Sequence, residues 1–163
     1  MAFDTFIKIK GVDGEAMHEK FPGQIEIYSF SWGASNPTTV GSATSGLSAG
    51  KVSVSSFNIM KKSDKASPIL FQACANGKHF DDAIVTMNKA SGDAGQSPFL
   101  KYTFTDVMVE SIQWSGSSGG DDAPTESVSF AFGKVEITYF SQDDKGEMKK
   151  SGQASWDLTK VTT

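Results

Sequence analysis

Hydrophobic and polar positions alternate at the N-terminus: Phe3, Thr5, Ile7 and Ile9 fall on one side, Asp4, Phe6, Lys8 and Lys10 on the other. A period of two marks a half-buried strand, with Phe6 as the one apolar exception on the polar side. Gly11 to Gly23 is polar and turn-rich, and Gln24 opens a second apolar run, I-E-I-Y-S-F-S-W-G. Ile25 and Ile27 share one parity, whereas Phe30 and Trp32 take the other. Such a shift predicts either a bulge near Tyr28 or a strand covered on both faces. Val52 and Val54 are followed by Phe57 and Ile59 with the same kind of shift, which predicts a bulge at Ser55–Ser56.

Helical spacing occurs once, in S-P-I-L-F-Q-A-C-A-N-G. Ser67 fits the N-cap, Pro68 the first helical position and Gly77 the left-handed stop, so a short helix is expected over Pro68–Asn76. Ile69, Leu70, Ala73 and Cys74 form its apolar stripe, which reads Cys74 as a small core residue. Further strands are expected near Ala83–Lys89, Phe99–Val107 (extending toward Trp114), Ser127–Phe140 and Gln153–Leu158. Turn-rich segments at Ser91–Ser97, Ser115–Pro124 and Gln142–Gly146 separate them, and Asp143-Asp144-Lys145-Gly146 is a hairpin turn candidate. Asn36–Gly50 is different: small residues, Ser, Thr and a Pro surround only Val40 and Leu47 as apolar anchors. A loop that long inside one domain is usually functional or disordered. The fold class is therefore mainly β, a compact β-barrel or sandwich of two antiparallel sheets with one short helix and a long extended loop at Asn36–Gly50.

Composition narrows the function. The 163 residues fit one domain, residues 1–163, which at this length buries roughly 70% of its unfolded surface. Phe, Trp and Tyr, numbering 12, 3 and 3, must dominate its core. Net charge is −4, and the 15 basic residues are all Lys. Without Arg or a basic face the chain lacks the usual footprint of a nucleic-acid binder. The single cysteine excludes an intrachain disulfide and fits folding in a reducing cytoplasm. Met1 to Lys10 alternates and carries charge, so it reads as a strand and not as a signal peptide. No stretch approaches the ~18 apolar residues of a membrane span.

The residue types of catalysis are scarce. His18 sits in a polar M-H-E-K stretch, expected to face solvent or an interface; His79 follows the helix stop and suits its C-terminal carbonyls. Neither has a nucleophile context. Asp81–Asp82, Asp121–Asp122 and Asp143–Asp144 lack alternating calcium-ligand spacing and read as solvated turns. The glycines of Gly116–Gly120 lack the Lys-Ser/Thr of a phosphate loop. No catalytic residue, cofactor or metal is expected.

Several segments carry a resemblance: F-I-K-I-K-G-V-D-G-E-A at Phe6–Ala16, I-E-I-Y-S-F-S-W-G at Ile25–Gly33, A-G-K at Ala49–Lys51, D-K-A-S-P at Asp64–Pro68, G-K-H-F at Gly77–Phe80, Y-T-F-T-D-V-M-V-E-S-I at Tyr102–Ile112 and W-D-L at Trp156–Leu158. In this order and over nearly the whole chain, they resemble the Hcp family, the secreted tube protein of bacterial type VI secretion systems. The resemblance implies a β-barrel-like subunit of a homohexamer whose rings stack into a tube, travel with spike and sheath components and hold effector proteins in the lumen. It implies manufacture in the cytoplasm and secretion without a cleaved signal peptide. It places Ser29, Ser31 and Trp32 at the lumen, with an ordinary core position for Trp32 left open. It assigns Val40, Leu47 and Lys51 to ring stacking, with packing of Leu47 on its own domain left open. The absence of Arg departs from many relatives and requires Lys–carboxylate and backbone contacts at the interfaces. The contrasting class is a free-standing β-sandwich binding module for carbohydrate or other ligands, which would want a row of exposed aromatics; Trp32, Trp114 and Trp156 are spread over separate segments.

Overall fold

The alternating segments form strands, and their pairing wraps them into a barrel. The structure, a computed structural model, describes residues 3–41, 46–90, 95–120 and 122–160. The start of the first strand at Met1, the middle of the Asn36–Gly50 segment, most of the turn at Ser91–Ser97 and Asp121 lie outside these residues. The strands are β1 (Asp4–Ile9), β2 (Ile25–Ile27), β3 (Ser29–Ser31), β4 (Ala34–Ser35), β5 (Thr38–Gly41), β6 (Gly46–Ala49), β7 (Ser53–Val54) and β8 (Phe57–Lys62). Helix α1 (Ser67–Asn76) precedes four longer strands, β9 (His79–Ala90), β10 (Gln96–Ser115), β11 (Thr125–Gln142) and β12 (Met148–Asp157). One antiparallel eight-stranded sheet runs in the order β2-β1-β9-β10-β11-β8-β3, with β12 added beside β11.

The parity shift at Tyr28 is the seam of this barrel. β2 pairs with β1 and β3 with β8, so the two halves of one apolar run stand at opposite ends of the strand order. Only Tyr28 joins them, and its backbone N–H donates to the Met60 carbonyl at 2.8 Å. The curvature comes from a strand that changes neighbours, where a bulge was one of the two expectations. The shift at Ser55–Ser56 has the same origin: β7 pairs with β4, whereas β8 pairs with β11 and β3. Among the described residues, the expected mainly-β barrel with one short helix is what the chain forms.

Aromatic rings fill the interior. Phe104 lies 4.6 Å from Phe132 and 4.7 Å from Phe57 between ring centroids, and Trp32 meets Tyr102, Phe104 and Phe132 edge to face. Edge-to-face and tilted contacts suit the ring quadrupole and add to the burial of apolar area. Leu70 and Ala73 of α1 join this core, and Cys74 packs against its margin.

The helix start departs from expectation. Ala66, not Ser67, occupies the N-cap, with no side-chain cap bond, and Ser67 is the first helical residue. Its hydroxyl is engaged elsewhere: it accepts from Lys61 Nζ at 3.1 Å and donates to Glu126 Oε2. Lys61 and Glu126 face each other across β8 and β11, are fully buried, and pair at 3.1 Å; Asp64 adds a contact to Lys61 at 2.9 Å. Burial opposes the charged form of Glu126, yet hydrogen bonds from Ser63, Ser67 and Lys61 and the Lys61 charge outweigh it, so its carboxyl sits below the ordinary range. At the other end Gly77 takes φ 68°, the left-handed stop that a residue without Cβ adopts freely, and Lys78 N–H bonds back to the Ala73 carbonyl at 3.1 Å.

Two further differences concern polar segments. Phe6 points out of the barrel but is buried, because the Gly11–Gly23 segment folds over it; Phe21 stacks on its ring and His18 packs at 5.3 Å. His18 Nε2 also contacts Gln96 Oε1 at 2.7 Å, so this histidine clamps a covering loop to the wall and does not stand free in solvent. Asp81 and Asp82 lie within β9 and not in a turn, because Phe80 and Ala83 on either side are anchored in the core. Asp143–Asp144 does form the β11–β12 turn: Gly146 N–H donates to the Asp143 carbonyl at 3.0 Å, and Asp143 Oδ1 accepts from the Lys145 and Glu147 N–H groups.

Candidate assembly surfaces

Strand parity decides which side chains of β3 face outward. Ser29 and Ser31 are exposed, while Phe30 and Trp32 turn to the barrel interior. Trp32 is therefore separated from the two serines with which the family resemblance groups it; its ring contacts belong to the core, the position left open for it. The serines gain neighbours that local sequence does not announce. Ser31 lies opposite Asn58, Asn58 opposite Ser129, and Ser129 opposite Ser111; one row over run Ser29, Met60, Ser127 and Gln113. Ser129 Oγ donates to Asn58 Oδ1 within this face. The result is a wall of hydroxyls and amides, with Met60 among them, spanning β3, β8, β11 and β10; the exposed Glu110 carboxylate borders it and accepts from Ser56 Oγ at 2.6 Å. The available signal was the S-x-S spacing on β3 and again at Ser127–Ser129, but pairing distant strands was needed to align them.

The Asn36–Gly50 segment carries two strands of its own, β5 and β6, paired as Thr38↔Ala49 and Val40↔Leu47, and β4 and β7 pair on either side of it. Ser55 N–H donates to the Gly33 carbonyl at 2.8 Å, and Gly50 N–H to the Pro37 carbonyl at 2.8 Å, so the arm is zipped from its base. Gly50 is required there, since a Cβ would fall 2.7 Å from Pro37 Cγ and 2.9 Å from its carbonyl oxygen. Val40 and Leu47 are 79% and 80% exposed, an apolar cross-strand pair held away from the core, and Lys51 is exposed below them. The sequence of this segment predicts a loop, because its Gly, Ser and Ala dilute the alternation that marks a strand.

The chemistry-bearing residues are dispersed. His79 is exposed at the start of β9, and the Cys74 thiol approaches the Glu110 carbonyl at 3.6 Å. Among the described residues no three His, Cys, Asp or Glu side chains come together as a metal site. The tryptophans make no row: Trp32 and Trp156 pack on the core, and Trp114 pairs with Phe71 of α1. No helix among the described residues is long and apolar enough to cross a membrane.

A filled β-barrel with a zipped arm that carries an exposed apolar pair, and a wall of hydroxyls and amides, places this chain in a class whose distinctive features are surfaces. The family model described as type VI secretion system effector, Hcp, matches residues 6–139, and the chain belongs to the Hcp family of type VI secretion systems. It is 38% identical over 152 residues to protein hcp1 of Pseudomonas aeruginosa, covering 93% of this chain and 91% of that protein. A solved type six secretion system protein superposes with a TM-score of 0.91 at 38% identity over 99% of both chains. Hcp1 from Salmonella typhimurium does so with a TM-score of 0.78 at 36% identity, again over 99% of both.

Proposed function

We propose that the chain is the ring-forming subunit of a secreted tube: six copies close into a ring, rings stack, and the assembly carries effector proteins out of the cell alongside spike and sheath components. The observation that carries the cargo part is the outward wall of Ser29, Ser31, Asn58, Ser111, Ser127 and Ser129. Hydroxyls and amides bind water and accept varied partners, and these uncharged side chains cost less to desolvate than charged ones when a folded cargo slides against them. The zipped arm supports the stacking part, since Val40 and Leu47 are apolar, exposed and paired across its two strands, and Lys51, which follows β6, is exposed as well.

Sizing and negative-stain imaging of the purified protein should give annuli of hexamer mass; a monomer at every concentration would end this reading. Ser31→Glu should keep the annuli and lower co-purified cargo several-fold, because the added charge must be desolvated at each contact. Cargo retention unchanged in that variant would remove the β3 face from the lumen.

A further inference from the structure

The chain holds four asparagines, Asn36, Asn58, Asn76 and Asn88, and the fold sets one of them apart. Asparagine is thermolabile because the backbone nitrogen of the next residue can attack its side-chain carbonyl carbon and close a succinimide ring. Asn36 precedes Pro37, whose nitrogen carries no hydrogen and cannot take part. Asn58 and Asn88 lie within β8 and β9, where ladder pairing on both sides holds the backbone extended. Asn58 is further fixed by its bonds to the Ser56 carbonyl and the Ser129 hydroxyl, and Asn88 is fully buried.

Asn76 is exposed at the last position of α1, and Gly77 follows it. Gly77 has no side chain to shield its nitrogen, and the space around its Cα is open: a Cβ there would meet only Met108 Cε, at 4.0 Å. The Asn76 side chain reaches forward past Gly77, where Oδ1 accepts from the Lys78 N–H at 3.0 Å. That bond polarises the amide carbonyl and stands where negative charge develops when the carbonyl is attacked, as an oxyanion donor does. What opposes attack is the bond from the Gly77 N–H to the Ala73 carbonyl, the last of the helix. Terminal turns fray, and opening this bond frees the nitrogen while Leu70 and Ala73 keep their places in the core.

We infer that Asn76–Gly77 is a self-modification site. The Gly77 nitrogen loses its proton to hydroxide and bonds to Asn76 Cγ, the bond from Cγ to the amide nitrogen breaks, and ammonia leaves. Water then opens the succinimide at either carbonyl, giving aspartate or isoaspartate. Both products place a carboxylate at the C-terminal end of α1, where the last carbonyls already carry partial negative charge. Isoaspartate also adds a carbon to the main chain between the Ala73 acceptor and the Lys78 donor that close the helix. The last turn of α1 is thereby a clock that marks an aged subunit with an added negative charge and a loosened helix end.

The test stores the folded full-length protein in mildly alkaline buffer and follows it by peptide mapping with mass spectrometry and by enzymatic methylation of isoaspartate. The Asn76 peptide should gain the mass difference between amide and acid, take up the methyl label, and do both faster as pH rises. Asn76→Gln, an exposed change whose longer side chain would have to close a larger ring, should lose both signals. Asn76→Asp reproduces the aspartate product and should unfold at a lower urea concentration than the parent; an equal midpoint would overturn the loosened helix end. Conversion seen only when the parent is stored unfolded in urea would show that the helix end protects Asn76, and would overturn the site. Equal conversion of Asn58 or Asn88 in the folded protein would likewise overturn the selection of Asn76.

Discussion

The barrel interior and the β5–β6 arm use β-structure for opposite ends. Inside the barrel, Phe57, Phe104 and Phe130 are at most 2% exposed and every inward position meets another wall of the same chain. On the arm, Val40 and Leu47 are strand residues with no wall to meet. Backbone pairing alone is enough to shape a ribbon, but a two-stranded ribbon gains little independent stability without a face to bury. The arm is therefore held by its zipped base, and its Val40–Leu47 pair remains available to another molecule. One region stabilises the subunit; the other leaves contact energy unspent within it.

The largest effect expected from breaking this division is in the interior. Phe104→Ala removes a ring that meets Trp32, Phe57, Tyr102 and Phe132, and should destabilise the subunit by about 3–5 kcal/mol in urea unfolding. A loss below about 1 kcal/mol would mean that the site collapses without a cavity.

The buried ion pair comes next. Lys61→Met leaves the Glu126 carboxylate buried without its cation and should cost a comparable 3–5 kcal/mol, about the cost of breaking such a pair from one side. Because the folded carboxyl lies below its ordinary value, its contribution is fully present above the unfolded glutamate pKa of about 4.3 and fades as pH falls through the lower folded value. Glu126→Gln should lose that acid dependence, and unfolding midpoints followed from pH 6 downward, over roughly the carboxylate range, test it. Equal acid sensitivity in the variant would place the sensitivity on other carboxylates.

The smallest effect sharpens the comparison most. Val40→Ser with Leu47→Ser should leave subunit stability within about 0.5 kcal/mol, as for exposed positions, while stacking falls. A clear drop in unfolding midpoint would instead tie the Val40–Leu47 pair to its own barrel.

What the chain determined locally is considerable. Period-two runs placed the main strands, Pro68 and Gly77 bounded the helix, and Asp143–Gly146 marked its turn, because each depends on neighbours in sequence. Parity shifts at Tyr28 and Ser55–Ser56 were legible too, but not their meaning. Only the tertiary structure decided that Tyr28 joins the two ends of a barrel, that Ser67 serves a buried Lys61–Glu126 pair in place of a cap, and that Asn36–Gly50 is a ribbon. It also decided that Ser31, Asn58, Ser129 and Ser111 share one face while Trp32 leaves it. The reason is register: a strand's own sequence says which residues share a side, whereas the row a residue joins is set by hydrogen bonding to strands far away in the chain.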